Sequence, residues 1–436
     1  MVSGIEGLAK LPELRKRILI SILLLAVYRI GVFVPAPGID VQALSSFFKM
    51  AQGTIFGFFN LFSGGALERF SIFSLGIMPY ISASIILQLL TVVVPHLEQL
   101  SKEGDLGRKK ITQYTRYGTI LLCMVQGYGI SVGLESIHAP GGASAVMHPG
   151  LAFRLMTTIT LATGTAFIMW LGEQISERGI GNGISLIIFA GIAARIPAGF
   201  MNSIQFVKSG EWSVIKLLII VGFMVVVIGC IIFMETAQRR IPVQYAKRIV
   251  GRKMYGGQAT HLPLKINTSG VIPPIFASSL IMFPATIATF ITIPLLANLK
   301  DFLSPGSMIY NLSYVGFIVF FAFFYTAIVF KPHEIAENMK KWGGFIPGIR
   351  PGQNTADYID HVLGRITFGG ACYLSVVCVL PTILSQQANV PFYFGGTSLL
   401  ILIGVALDTV QQIESHLLMR NYEGFIKDTR LKGRRG

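Results

Sequence analysis

Charge is scarce in this 436-residue chain, where only 13% of residues are Asp, Glu, Lys or Arg, about half the share of an average soluble protein. Acid is the scarcer sign, with 21 Asp and Glu against 36 Lys and Arg. The four cysteines, Cys123, Cys230, Cys372 and Cys378, sit inside apolar runs without ligand-like spacing. That spacing excludes a disulfide scaffold and a cysteine-bound metal. His333-Glu334 does not begin a metalloprotease motif, because Glu337 stands where the second histidine would be needed. No phosphate-binding loop, dinucleotide fingerprint or nucleophile elbow is present, and Ser63 lacks a histidine partner on a neighbouring run. These absences point away from an enzyme and call for no metal or cofactor.

What the chain does have is apolar length. Hydrophobic residues make up 52% of it and mean hydropathy is +0.63, more than soluble cores could hide. Ten stretches are read as membrane spans: Ile18–Val34, Leu75–Val94, Tyr117–Leu134, Leu151–Leu171, Ile184–Ile196, Val214–Phe233, Val271–Leu296, Met308–Phe330, Ile366–Ile383 and Thr397–Leu417. The fifth is short and opens on glycine. Arg15, Lys16 and Arg17 precede a first run that continues too far for a cleaved signal, so it reads as a retained anchor. The expected fold is an all-α polytopic membrane protein.

Basic residues orient it. They gather before span 1, between spans 2 and 3, at Arg178, between spans 6 and 7, after span 8 and in the tail, while the intervening segments offer few, among them Lys49, Lys208 and Lys300. This alternation fits ten spans with both termini cytosolic. Residues 1–17 then form a cytosolic segment and 418–436 a cytosolic tail.

Five spans per half would make a duplication inverted in the membrane. Gly76-Ile77-Met78-Pro79-Tyr80-Ile81-Ser82-Ala83-Ser84 is echoed in register by Gly270-Val271-Ile272-Pro273-Pro274-Ile275-Phe276-Ala277-Ser278. Gly183-Ile184-Ser185-Leu186-Ile187-Ile188 is echoed by Gly396-Thr397-Ser398-Leu399-Leu400-Ile401. Small-residue bias in membrane helices can produce such matches too. Residues 56–73, with a Ser-Gly-Gly bend, fit either a re-entrant half-helix or an amphipathic helix on the external surface.

A solute carrier places ionisable residues inside its spans. Here Arg29, Arg116, Glu173 and Asp408 all fall near span ends. The spans offer isoleucine instead: Ile77 and Ile81, and Ile184 and Ile188, share helix faces four residues apart, with Ile275 and Ile401 as register partners. Gathered about one axis they would make a constriction that stops ions by dewetting; otherwise they pack or face lipid. Two long basic loops, 235–265 and 331–365, carry Arg239, Arg240, Lys247, Arg248 and a Gly- and Pro-flanked Arg350. They read equally as topogenic charge on anionic lipid or as a docking surface for RNA phosphates or an acidic protein.

Several stretches together resemble the SecY family, the central subunits of the bacterial Sec protein translocon. They are Phe62-Ser63-Gly64-Gly65-Ala66-Leu67, Gly76 to Leu90, Lys102-Glu103-Gly104, Gln113 to Gly118, Trp170 to Gln174, Arg178 to Ser185, Tyr245-Ala246-Lys247-Arg248, Thr260 to Lys265, Gly348 to Gly352 and Pro391 to Leu400. The resemblance implies two inverted five-helix halves around a central pore, 18–200 and 214–417, joined by a hinge loop at 201–213, in the bacterial plasma membrane. It implies a pore ring of Ile77, Ile81, Ile184, Ile188, Ile275 and Ile401, and a re-entrant plug helix at about 56–73 that includes Phe62, Ser63, Gly64, Gly65, Ala66 and Leu67. It implies a lateral gate, with Ser82, Gln88, Ser279 and Phe283 as candidates. Arg239, Arg240, Lys247, Arg248 and Arg350 would contact the SecA motor ATPase or ribosomal RNA of a docked ribosome. Other implied partners are small SecE- and SecG-like subunits, substrate polypeptides with their signal sequences, and anionic lipid. The alternative from another class is an inverted-repeat secondary transporter for a small solute.

Overall fold

The computed structural model describes residues 12–50, 63–135, 145–245, 248–250, 253–255, 259–290, 307–387 and 396–428. In chain order the first helices are α1 (Pro12–Gly31), α2 (Val41–Met50), α3 (Met78–Val93), α4 (Pro95–Lys102), α5 (Asp105–Glu135), α6 (Leu151–Arg178), α7 (Gly183–Ala193), α8 (Ile196–Lys208) and α9 (Val214–Thr236). Strands β1 (Gln238–Tyr245), β2 (Arg248–Val250), β3 (Lys253–Tyr255) and β4 (Ala259–Lys265) follow. Then come α10 (Ile272–Phe290), α11 (Met308–Val329), α12 (Pro332–Lys341), β5 (Gly344–Phe345), α13 (Gln353–Gln387) and α14 (Gly396–Asp428).

Among the described residues, seven helical segments are long and apolar enough to cross a bilayer, or eight counting the bent pair α3–α4. That pair turns by 99° where Pro95 follows Val94, since proline removes a helix donor and keeps the preceding residue extended. With α1 and α10, helices stand at all ten expected spans, and the chain is a multi-pass membrane protein. Helix starts follow local chemistry: Asn182 Oδ1 accepts from Ile184 N (3.1 Å) and Ser185 N (3.4 Å), and Ser307 Oγ accepts from Tyr310 N (3.0 Å). The most apolar of these spans, α9, has a span hydropathy of 3.2 yet only 6% of that window is buried. A helix hydrophobic all round with so little of its surface covered suits lipid.

The sequence echoes have backbone counterparts. Gly76 (φ 56°) and Gly270 (φ 62°) each turn the chain left-handed two residues before a helix with proline in its first turn. Gly183 and Gly396 each open a helix pressed on its predecessor. A Cβ at Gly183 would overlap the carbonyl oxygen of Gly172, and one at Gly396 that of Val377. A residue with any side chain would push the two helices apart at either place.

The described residues form two compact units. One holds the residues up to Asn202, residues 282–290 and those from Ile401 onward. Its core joins Leu44, Phe70, Leu75, Cys123, Leu134, Phe153 and Leu161, drawn from α2, α5, α6 and the turns before α3. The other holds Ser203–Ile281 and the described residues between 307 and Leu400. There α11 buries Tyr310, Tyr314, Ile318 and Phe321, one face at helical spacing, and Phe276 of α10 meets Phe321 edge-on at 5.6 Å.

The basic loops add strands to this helical fold. β1 pairs antiparallel with β4, from Gln238↔Lys265 to Gln244↔Ala259, and β5 pairs with the far end of β1 at Gln244↔Phe345 and Tyr245↔Gly344. The two loops are thereby one three-stranded body, ordered β4-β1-β5. Ile241, Val243 and Leu264 pack with Met339, Ile346, Ile359 and Leu363 beneath it. β2 and β3 form a separate two-stranded hairpin.

Candidate functional site

The Ser-Gly-Gly bend is built into a tight seat in the first unit. Phe62 lies outside the described residues. From Ser63 to Ile77 the chain runs through consecutive turns broken only by a bridge at Ser71, and α3 begins at Met78. Ser63 Oγ accepts from Leu67 N (3.3 Å), closing one turn. Ala66 O receives both Ser71 N (2.9 Å) and Ser74 Oγ (3.1 Å). The turns are tied to the end of α1 through Ala36 N to Phe70 O (2.8 Å) and Ile72 N to Val34 O (3.0 Å). Ala66 and Leu67 are buried.

Residues outside the Ser-Gly-Gly segment hold this seat. Tyr28 Oη donates to Ser63 O (3.4 Å), and Arg29 Nη1 donates to Gly64 O (3.1 Å). Arg195, just past α7, pairs with Glu68 at 3.2 Å, both side chains mostly covered at 21% and 28% exposure. The Arg69 guanidinium lies 4.4 Å from the Phe33 ring centroid. Gly64 is left-handed (φ 66°), and a Cβ there would come 2.8 Å from the Cα of Gly191 on α7. The one available signal was Arg29 itself, a charge inside an apolar run. Glu68 and Arg195 are 127 residues apart and carry none.

Four of the six isoleucines are buried within the described residues and two are partly covered. Ile77, Ile81, Ile188 and Ile401 are buried at 3%, 7%, 3% and 1% exposure, and Ile184 and Ile275 are half-buried. Lipid-facing isoleucines look different: Ile215 and Ile219 of α9 are 69% and 65% exposed. Ile77 and Ile81 are joined by one helical bond, Ile81 N to Ile77 O at 3.1 Å, which sets them on one face. Five of the six belong to the first unit and Ile275 to the second.

Of the gate candidates, Ser82 and Gln88 are half-buried on α3, and Gln88 Nε2 donates to Ser84 Oγ (3.4 Å). Ser279 is buried on α10, and its Oγ has no hydrogen-bond partner among the described residues. Phe283 is in α10, with its side chain outside the described residues. Arg116 and Glu173 meet in a two-pronged pair, both bonds 2.8 Å, tying α5 to α6.

On the sheet, Arg239 and Arg240 are exposed at the root of β1, opposite Leu264 and Pro263. Arg248 lies in β2, its side chain outside the described residues, as is all of Lys247. Arg350 stands at an exposed tip between Gly348 (φ 83°) and Gly352 (φ 114°), where Thr355 Oγ1 donates to its carbonyl (2.9 Å). Glycine supplies the left-handed turns on both sides.

The SecY family model matches residues 71–410. Protein translocase subunit SecY of Escherichia coli K12 is 51% identical over 427 residues, 97% of this chain and 96% of that protein. Its counterpart in Aquifex aeolicus is 46% identical over 428 residues, covering 98% and 100%. A solved protein-conducting channel aligns with TM-score 0.66 at 18% identity, over 94% of this chain and 96% of its own. A SecY structure concerned with the plug domain aligns at 0.65 and 18%, with the same coverage. Sec61 in the canine ribosome–channel complex from the endoplasmic reticulum aligns at 0.62 and 17%, again over 94% and 96%.

Proposed function

Because the chain belongs to the SecY family, we propose that it is the pore-forming subunit of a protein translocase in the bacterial plasma membrane, both termini cytosolic. It passes unfolded polypeptides across the membrane and releases apolar segments sideways into lipid. The observation that carries this reading is the burial of apolar ring candidates together with a stapled Ser-Gly-Gly seat. A passage for chains of any sequence needs a bland waist. Isoleucine side chains can close around a moving polypeptide without binding it, and exclude water and ions when it is absent. The seated plug closes the resting funnel.

Segments apolar over about 20 residues prefer lipid to water by several kcal/mol, so the lateral gate that membership of this family implies lets them leave. Ser82, Gln88 and Ser279 are its polar candidates. Energy comes from outside the chain, through the SecA motor, a translating ribosome or the membrane potential. The sheet carrying Arg239, Arg240 and Arg350 is the docking surface, with phosphate or carboxylate as its complement. Support for a ribosome partner comes from the ribosome-bound Sec61 neighbour. SecE- and SecG-like subunits, and anionic lipid under the loops, complete the assembly. The solute-carrier alternative finds no support among the relatives.

The test is reconstitution. The chain, co-purified with its small membrane subunits and placed in vesicles with the motor and ATP, should shield a preprotein from added protease. Vesicles without the chain should not. Absence of ATP-dependent protection in the complete system would overturn the reading.

A further inference from the structure

The root of the β1–β4 hairpin is welded to the start of α10. Ala237 follows α9 and Lys265 ends β4, and between them Ile266 N donates to Ala237 O (3.0 Å), continuing the ladder to the last residue. Next in the chain, buried Asn267 reaches in two directions. Its Nδ2 donates to Glu235 Oε1 (2.7 Å), at the end of α9, and to Gly270 O (3.0 Å), in the turn that opens α10. Ser269 Oγ donates to Asn267 Oδ1 (3.3 Å), fixing the amide's orientation. Gly370 of α13 presses on the same point, because a Cβ there would come 2.9 Å from Ile266 O. One side chain thus joins the end of α9, the sheet and the first turn of α10. The carboxylate makes that bond stronger than a neutral one.

We propose that Glu235 and Asn267 are positioning residues that make the β1–β4 hairpin and the first turns of α10 move as one lever, so that a load taken up by the sheet displaces Ile275 and Ser279. This rests on the reading of the sheet as a docking surface. Seven residue pairs along β1 and β4 keep the hairpin stiff, and a stiff element passes force only as far as its anchor holds. Without the Asn267 clamp, the turn 266–271 is a free joint between sheet and helix.

The experiment places nitroxide labels at exposed Gln244 on β1 and exposed Leu280 on α10, with the four native cysteines replaced by alanine. The complex sits in native-lipid vesicles. The expected distance distribution is narrow in the unloaded protein and unchanged when vacant ribosomes dock. It should stay narrow in Glu235→Gln, which keeps an acceptor, and broaden in Glu235→Ala and Asn267→Ala. In motor-driven export, the two alanine variants should lose rate about ten-fold, the worth of one charge-assisted hydrogen bond, while binding the motor within about two-fold of wild type. A broad distribution in the unloaded wild type, or an Asn267→Ala distribution as narrow as wild type, would overturn the inference. So would equal loss of binding and export, which is damage to the sheet. If no variant binds ribosomes but the unloaded distributions behave as expected, the lever stands and the docking reading falls.

Discussion

With the Ser-Gly-Gly segment proposed as a plug, replacing Gly64 by alanine should unseat it. A residue with a side chain at φ 66° costs about 1–2 kcal/mol in the left-handed region. The new methyl would also lie 2.8 Å from the Cα of Gly191, where carbon atoms normally rest about 3.5–4.0 Å apart. That neighbour is helix backbone and cannot rotate aside, so the overlap adds about 1–3 kcal/mol. A combined cost near 3 kcal/mol shifts the ratio of displaced to seated plug about 100-fold. Gly191→Ala is the control. Its Cβ would sit 3.3 Å from Gly64 Cα and 3.5 Å from Tyr28 Oη, a milder contact offset by the roughly 1 kcal/mol by which a helix favours alanine over glycine. Resting ion conductance in planar bilayers reads the difference. Gly64→Ala should leak far more often than wild type and Gly191→Ala should stay close to it. A well-expressed Gly64→Ala channel as tight as wild type would refute the reasoning, as would equal leak in both.

Two further changes probe the waist and the sheet. Ile401→Asn replaces a buried apolar side chain with one that holds water, so it should raise resting conductance in the same bilayers; an unaltered baseline would remove Ile401 from the ring. Arg350→Glu inverts an exposed charge whose backbone is shaped by flanking turns and not by its side chain. It should impair motor-driven export while leaving membrane insertion and thermal stability unchanged, and normal export would remove Arg350 from the docking surface.

Local composition made much of the fold legible. A span needs only a run of apolar residues, and every expected run overlaps a helix, although α5 extends past its span into the basic loop and α13 begins well before its own. Gly76 and Gly270 were readable as equivalents because each does a job only glycine does easily, a left-handed turn before a proline-led helix. The sheet was less visible. Ile241 and Val243 alternate with polar neighbours as a half-buried strand does, but β5 has two residues and no pattern of its own. Charge drew attention to the loops and hid their union.

By itself, the amino-acid order determined what each segment must do with water: which runs leave it, which loops stay in it, and where the chain must bend. Those are one-body preferences, set by transfer free energy and backbone sterics within a few residues. Only the folded chain decided which distant groups meet, as Glu68 meets Arg195, Asn267 meets Glu235 and Gly64 lies against Gly191. It likewise decided that Ile401 is enclosed where Ile219 is bare. Isoleucine prefers hydrocarbon to water equally in both places, so hydrophobicity cannot separate them; the packing of neighbouring helices does.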